Sequence, residues 1–442
     1  MIVHAHPLLQ GPLRPGWQLS TVDAIKAPEK HSCVAGPFGS SISSKFFVEA
    51  GVPIIRGSNL STGLDRFVCK EFAFISKDTA AKFTAQTVRA NDLIFTCWGT
   101  IGQVGMIPAD GPFDHYVISN KQLKLRVNSE IIDPLYAYYF FACPETVQYI
   151  RDRAIGSAVP GINLGILKAL PVLVPPLEEQ RRIASILGAY DDLIAVNRRR
   201  ITLLDDMARA MFEEWFVRYR FPGHETTTII NTPNGLLPEG WIWGTLGNFA
   251  KVANSTINPG LTPDRIFAHF SLPAFDDEQK PVLEPGDAIK SNKLAFRSPT
   301  VLASKLNPRI PRVWYVPEEI AEHQVSSTEF VPLSPIGVHS AALVYAIVSS
   351  PEFRDRLTGM AGGTSTSHQR VKPSDIIKTP VAVPPDSISV TVGRYLEPHY
   401  NLSNQLRAAN HHLATSRDLL LPRLISGQLS VAEAERQLLK VA

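Results

Sequence analysis

A tandem duplication constrains this chain of 442 residues more than any single motif does. A repeat fixes the unit that has to fold, and so it is read before local patterns. The phrase Leu13-Arg-Pro-Gly-Trp17 returns as Leu237-Pro-Glu-Gly-Trp241. Val104-Gly-Met-Ile-Pro108 returns as Val313-Trp-Tyr-Val-Pro317, and the stretch from Leu135 to Glu145 returns as Ala342 to Glu352. Gly156-Ser157 parallels Gly363-Thr364, and Leu173-Val-Pro-Pro176 parallels Ala382-Val-Pro-Pro385. The offset is nearly constant. Pro317 stands 209 residues beyond Pro108, Pro351 stands 207 beyond Pro144, and Pro384 stands 209 beyond Pro175. Trp241 stands 224 beyond Trp17, so the second copy is shorter in its early part.

After each Pro-Pro pair the apolar period becomes that of a long helix. Ile183, Leu187, Tyr190, Ile194, Asn197, Ile201, Leu204, Ala208, Met211 and Trp215 alternate spacings of four and three, the period of a coiled-coil seam with one polar position at Asn197. In the second copy Ile388, Val392, Tyr395, His399, Leu402, Leu406, Ala409, Leu413, Ser416 and Leu420 do the same. Pro222-Gly223 and Pro422 are read as the stops. Roughly 35–40 helical residues would reach ~50–60 Å. Helices this long need partners, and each copy offers the other's. Asn197 is expected to set the register of the pair.

The rest of each half reads as short strands broken by Gly, Pro and Asn, such as Val52 to Ile55, Asp92 to Thr96 and Leu123 to Val127, followed by helices such as Pro134 to Arg153. The expected fold class is α+β, with two tandem globular domains. Each is followed by a long helix, and the helices pair as an antiparallel coiled coil. At 44% hydrophobic residues the chain can build these cores. Its net charge of only +3 leaves any nucleic-acid contact to local patches. Cys33, Cys69, Cys97 and Cys143 form no C-x-x-C pair, so they are read as thiols in a reducing compartment rather than a zinc site. The start lacks a signal-peptide pattern and no run is long enough to span a bilayer, so the expectation is a cytoplasmic protein.

At this point the residues resemble the specificity (S) subunits of type I restriction–modification systems. The resemblance rests on Gly36-Pro-Phe-Gly-Ser40, Gly51-Val-Pro-Ile-Ile-Arg56-Gly-Ser-Asn59, Asn91-Asp-Leu-Ile-Phe-Thr96 and Gly99-Thr100-Ile-Gly102. Pro175-Pro-Leu-Glu-Glu-Gln180-Arg-Arg-Ile-Ala184, Asp191-Asp192, Glu214-Trp215-Phe216 and the ending Leu421-Pro-Arg-Leu-Ile-Ser-Gly427-Gln-Leu429 extend it over nearly the whole chain. It implies target-recognition domains at residues 13–177 and 237–385, spacer helices at 178–221 and 386–421, and a tail at 422–442. It further implies double-stranded DNA as ligand, methyltransferase subunits that use S-adenosylmethionine, and an ATP-using endonuclease and translocase subunit. Those cofactors belong to the partners, and none is expected in this chain. The second copy departs from the pattern, lacking the Gly-Pro-Phe-Gly-Ser phrase and the Glu-Glu-Gln start. The two copies should therefore read different sequences, as an asymmetric bipartite target requires, with half-sites held roughly one to two helical turns apart.

Base reading needs donors and acceptors on loops that approach the duplex, with cations for the phosphates. In the first copy the candidates are Ser40, Ser41, Ser43, Ser44 and Lys45, then Arg56, Ser58 and Asn59, then Thr96, Trp98 and Thr100. In the second they are Lys290, Ser291, Asn292 and Lys293, then Lys305, Asn307, Arg309 and Arg312, then His368, Gln369 and Arg370. Blander readings stand beside these: a structural turn at Gly36 to Ser40 with Phe38 packed, a surface charge at Arg56, an ordinary turn at Ser291 to Lys293. Tyr136, Tyr138 and Tyr139 fall at helical spacing and are assigned to the core. The run Asn197-Arg198-Arg-Arg200 is read as a solvated face, with DNA phosphates or a partner subunit as its alternative. Ile183, Leu187, Ile194, Asn197, Ile201, Leu204, Met211, Trp215, Val392, Leu402, Leu406 and Leu413 are assigned to helix pairing or partner contact.

Two rivals differ in class. An enzyme would need more than the one nuclease-like set, Pro263-Asp264 with Glu278-Gln-Lys280, which lies in a polar stretch closed by Pro281. There is no phosphate-binding loop of the G-x-x-x-x-G-K-[ST] kind. An adaptor, with the helices as its function, would fit the duplication but would bind no duplex.

Overall fold

The computed structural model describes residues 6–9, 11–156, 160–253, 255–321, 323–362 and 369–441, with backbone alone from 437 on. The chain divides into two compact units. The first joins Met1–Leu193 to Leu413–Ala442, and the second is Ile194–His412.

The first unit holds β1 (Gln18–Thr21), α1 (Val22–Ile25), β2 (Cys33–Ala35), β3 (Phe47–Val48), β4 (Val52–Ile55), β5 (Ala73–Ile75), α2 (Lys77–Ala81), β6 (Thr87–Val88), β7 (Leu93–Thr96), β8 (Val104–Met106), β9 (Tyr116–Ile118) and β10 (Gln122–Leu125). Then come α3 (Pro134–Ala142), α4 (Pro144–Arg151), α5 (Leu164–Ala169), β11 (Pro171–Val174) and the start of α6 (Leu177–Phe212). One sheet has the order β2-β10-β7-β8, a second has β3-β5-β4-β9-β6 with β4 and β9 parallel, and β1 pairs with β11.

The second unit continues with β12 (Ile229–Thr232), β13 (Gly235–Pro238), β14 (Ile242–Thr245), β15 (Ala250–Val252), β16 (Ser255–Ile257), β17 (Ile266–Phe270), α7 (Leu272–Asp276), β18 (Val282–Pro285), β19 (Lys293–Ala295), β20 (Thr300–Ser304), β21 (Val313–Val316), β22 (Gln324–Ser326) and β23 (Phe330–Pro335). It closes with α8 (Ala341–Ser349), α9 (Pro351–Met360), α10 (Pro373–Lys378), β24 (Pro380–Val383) and most of α11 (Asp386–Ile425). The last helix, α12 (Val431–Val441), belongs to the first unit.

The duplication is thus one of topology. β15-β23-β20-β21 repeats the four-stranded sheet, β14 with β24 repeats β1 with β11, and β17 runs parallel to β22 as β4 does to β9. The five-stranded sheets differ at their margins. β3 is added beyond β5 in the first copy, whereas β16 is added beyond β19, at the opposite edge, in the second.

Each core is built around the same helix. Asp133 accepts from the backbone N–H of Leu135 and Tyr136 to start α3, and Ser340 accepts from Leu343 N–H to start α8. Such caps contribute about 0.5–2 kcal/mol. Tyr136, Tyr138, Tyr139, Phe140 and Phe141 are all fully buried, so α3 is apolar all round because it is covered all round. The tyrosines serve the core.

The long helices pair antiparallel where each unit shows them. In the second unit Asn197 Nδ2 donates to Asn410 Oδ1 at 2.9 Å, while Asp205 accepts from Ser403 (2.9 Å) and Arg407 (2.7 Å), so numbers rise along one helix as they fall along the other. In the first unit Asp191 of α6 accepts from Arg417 of α11. Ile183, Leu187, Ile194, Asn197 and Ile201 are buried in the α6 seam, while Leu204, Met211 and Trp215 are half-buried. Trp215 lies in a π-helical turn, Glu213–Val217, with its ring 5.8 Å from that of Tyr395.

The second seam corrects the linear reading. Tyr395 is exposed and Leu396 buried, Ser416 is exposed and Arg417 buried, and the covered line runs through Val392, Leu396, Tyr400, Ser403, Leu406, Asn410, Arg417 and Leu421. Over most of its length this is one residue beyond the expected repeat; Leu402 and Leu413 are half-buried. Pro422 does not end the helix. α11 runs through it to Ile425.

Candidate nucleic-acid interface

Strand-end loops gather the first copy's candidates. A cleft of about 350 Å³ is lined by Arg56, Thr96, Trp98, Thr100 and Ser119 to Gln122, where β4, β7 and β9 end and β10 begins. Four of these, Ser119, Asn120, Lys121 and Gln122, were missed by sequence reasoning. The signal was there, a polar break between the strand-like runs Tyr116 to Ile118 and Leu123 to Leu125, but nothing in the linear order places it beside Trp98.

Not every candidate side chain faces outward. Asn59 is fully buried, accepts from Arg56 N–H, and donates to the carbonyls of Val68 and Lys70. Thr96 is buried too and donates to Gln103 Oε1 at 2.9 Å, while Gln103 Nε2 holds the carbonyls of Gly57 and Leu60. These two side chains shape the floor. Arg56 is half-buried, with Nη2 donating to the Glu71 carbonyl at 2.8 Å. Ser58 and Thr100 are exposed, and Trp98 keeps 43% of its surface.

The loop with Ser40, Ser41, Ser44 and Lys45 is exposed at the same place, and Ser43 is half-buried. Asn120 Nδ2 donates to Gly39 O at 3.0 Å, and a Cβ on Gly36 would come within 1.9 Å of Ser119 O. Glycine is needed there for close approach. Phe38 does not pack; it is 96% exposed in this loop.

In the second copy Lys305, Asn307, Arg309, Arg312, Gln369 and Arg370 come together across a large sequence gap. Lys305 N–H donates to Glu329 O, Asn307 N–H to Gln369 O, and Val371 N–H to Lys305 O, at 2.8–3.0 Å. Asn307 takes a left-handed φ of 55°, which asparagine tolerates better than most residues. Arg312 forks onto Asp276 at 2.7 and 2.9 Å, and Arg370 forks onto Glu329 at 3.2 and 3.1 Å. Arg309 is exposed. His368 lies outside the described residues.

Lys290 and Asn292 precede β19, which Lys293 opens and whose next residue, Leu294, pairs with Ser326 at the end of β22. Lys290 and Asn292 are exposed, whereas Lys293 is buried, donates to Ser291 O and Oγ, and has its ammonium pulled below the usual lysine range by that burial. Lys293 acts in the turn. Of the nuclease-like set, Glu278 pairs with Arg198 at 2.7 Å, and no group of three metal-ligating side chains is found among the described residues. Among those residues, too, no helix is long and apolar enough to cross a membrane.

Two copies of one mixed-sheet domain, each presenting polar and cationic strand-end loops and each followed by a long helix, define a duplicated recognition protein. Residues 39–205 match the type I restriction modification DNA specificity domain. Over 420 residues the chain is 24% identical to the type I restriction enzyme MjaIX specificity subunit of Methanocaldococcus jannaschii, spanning 90% of this chain and 92% of that one. Over 112 residues it is 28% identical to the HindI specificity subunit of Haemophilus influenzae, 25% of this chain and 24% of that one. Its fold matches the crystal structure of the S subunit of the type I restriction–modification system from M. genitalium with a TM-score of 0.60, at 13% identity over 95% of this chain and 99% of that one. Over nearly its whole length the chain is thus similar to type I restriction–modification specificity subunits.

Proposed function

We propose that this chain is the non-catalytic DNA-reading subunit of a type I restriction–modification complex. It binds an asymmetric bipartite duplex target, one half-site with each copy, and directs methyltransferase and endonuclease subunits to it. The carrying observation is that one backbone frame bears two different sets of side chains. Thr96 and Ser304, each the last residue of its strand, pair with the first residue of a neighbouring strand in the sheet, Gln122 of β10 and Phe330 of β23. Cys97 N–H bonds Lys121 O as Lys305 N–H bonds Glu329 O, and Ile162 N–H bonds Cys97 O as Val371 N–H bonds Lys305 O. A frame held constant while its exposed side chains change is what two readers of different sequences need.

Domains at 13–177 and 237–385 are the units of exchange, and DNA contact falls to the outward-facing candidates, with Lys45, Lys305 and Arg309 on phosphates. For the methyltransferase partner the exposed stripe Val196, Leu203 and Met207 on α6, each 47–62% exposed beside Arg199 and Arg200, suits an apolar helix. S-adenosylmethionine and ATP bind the partner subunits, and the complex works in the cytoplasm.

The test is a methylation map of host DNA from cells expressing the chain with its methyltransferase subunit. Methyl-adenine in a two-part motif is expected, and exchanging residues 237–385 should change one half alone. With partner expression confirmed, the absence of a new motif would overturn the reading.

A further inference from the structure

We infer that Arg370, presented by Glu329, reads a guanine in the half-site bound by the second copy. This rests on the DNA-reading function proposed above and names the base that one residue of that surface recognises.

The geometry of the fork comes first. Glu329 takes the Nε edge of the guanidinium, with Nε at 3.2 Å from one carboxylate oxygen and Nη2 at 3.1 Å from the other. A guanidinium has five N–H donors, and this contact uses one on Nε and one on Nη2. Two remain on Nη1 and one on Nη2, forming a second planar fork at the end of the side chain. That end-on fork matches the O6 and N7 acceptors of guanine in the major groove. The arginine side chain is 49% exposed and the carboxylate 25%, so the acid lies beneath and the base presents its free edge outward.

The first copy shows what the acid is for. Leu306 bridges Arg370 as Trp98 bridges Gly161, which makes Gly161 the counterpart of Arg370 and Lys121 the counterpart of Glu329. Gly161 has no room for a side chain, since a Cβ would stand 2.5 Å from the Trp98 ring. Where the arginine is absent, the carboxylate is absent as well. A carboxylate on a phosphate-facing surface repels the duplex. Its presence among Lys305, Arg309 and Arg370 is explained if it keeps Arg370 from folding onto the nearest phosphate and so prepays the ordering of a flexible side chain. Arg312 has a similar fork on Asp276, but its side chain is only 17% exposed. Glu329 is therefore a positioning residue and Arg370 the reading one.

The test uses the full chain with its methyltransferase subunit and maps the methylated motif for Arg370→Ala, Arg370→Lys and Glu329→Gln. The unaltered chain should require guanine at one position of the second half-site. Both Arg370 variants should relax that position alone, with discrimination against other bases falling about 10- to 100-fold. Lysine fails to rescue because it is a point charge without a fork. Glu329→Gln should relax the same position less. An unchanged first half-site in these variants shows that the chain has folded. An unchanged motif in both Arg370 variants, or a uniform loss of methylation with no base relaxed, would overturn the assignment while leaving the DNA-reading function standing. No motif for the unaltered chain would remove both.

Discussion

The two copies share a topology but are seated on their helices by different chemistry. In the first unit Asp191 of α6 is a shared acceptor, taking bonds from Tyr139 of α3 and Arg417 of α11, with Arg66 Nε 3.5 Å away. Arg66 also reaches Asp192 at 3.2 Å and the Gly188 carbonyl. In the second unit the seat is aromatic and amide. The rings of Tyr315, Tyr345 and Tyr400 meet tilted or edge-on at 4.7–5.7 Å, Tyr315 OH donates to Asn401, and Asn404 donates to the Tyr315 carbonyl. One backbone frame therefore tolerates either a charged hub or an uncharged cluster beneath it. The difference teaches that topology is set by apolar burial and strand pairing, which both copies retain, while the polar anchor is free to change.

The charged hub gives the largest expected effect. Asp191→Ala leaves Arg66 and Arg417 without their common carboxylate, and removing one partner of a buried ion pair costs about 3–5 kcal/mol. Urea denaturation should show that loss; a cost under a kilocalorie would mean that the hub is incidental. The next prediction separates the units by pH. The His6 ring lies 4.5 Å from that of Tyr149, tilted against it, and burial lowers its pKa from 6.5 to about 4, helped by Arg153. Its folded pKa lies below the unfolded one, so its contribution is present above pH 6.5 and is lost as pH falls toward 4, when the unfolded chain takes up the proton first; the full span is roughly 3 kcal/mol. His269, His339 and His411 in the second unit are lowered by burial too, but carboxylates nearby, Glu284, Asp386 and Glu278 respectively, oppose each shift. Hydrogen exchange followed from pH 7 to pH 4.5 should open the first unit before the second, and His6→Phe should abolish the difference.

A smaller effect tests the second unit's helix pair. Asn197→Leu alone should cost about 1–3 kcal/mol by leaving Asn410 buried without its partner, while adding Asn410→Leu should recover most of it. A double variant no better than the single one would place the cost elsewhere. The smallest effect belongs to the exposed loop of the first copy. Phe38→Ala should leave stability within about 0.5 kcal/mol, as for surface substitutions generally. If this loop meets the duplex, the same variant weakens binding to cognate DNA, and unchanged binding would remove Phe38 from the interface.

Much of the plan was legible because it is periodic. Landmarks recurring at one offset and a seam recurring every three and four residues are one-dimensional signals, and the fold class and the α6 seam could be read from them. The second seam was displaced by one residue for a physical reason. α11 is covered both by α6 and by the globular part of its unit, as Tyr400 and Asn404 show, so its apolar face is wide and its linear pattern admits two phases. Candidate side chains were chosen by donor type, which cannot distinguish an Asn59 that ties three backbone groups of its own loop from a Ser58 that faces water.

What the sequence determined by itself is whatever depends on local periodicity and order: two copies, a long helix after each, and loops rich in polar residues between strands. What only the tertiary structure decided is which of those loops meet. Lys121 comes to Trp98 and Gly161, and Glu329 comes to Leu306 and Arg370, through strand and bridge pairings that join residues far apart in the chain. Backbone hydrogen bonds of that kind are made alike by every residue type but proline, so the side chains carry little record of the pairing until the chain has folded.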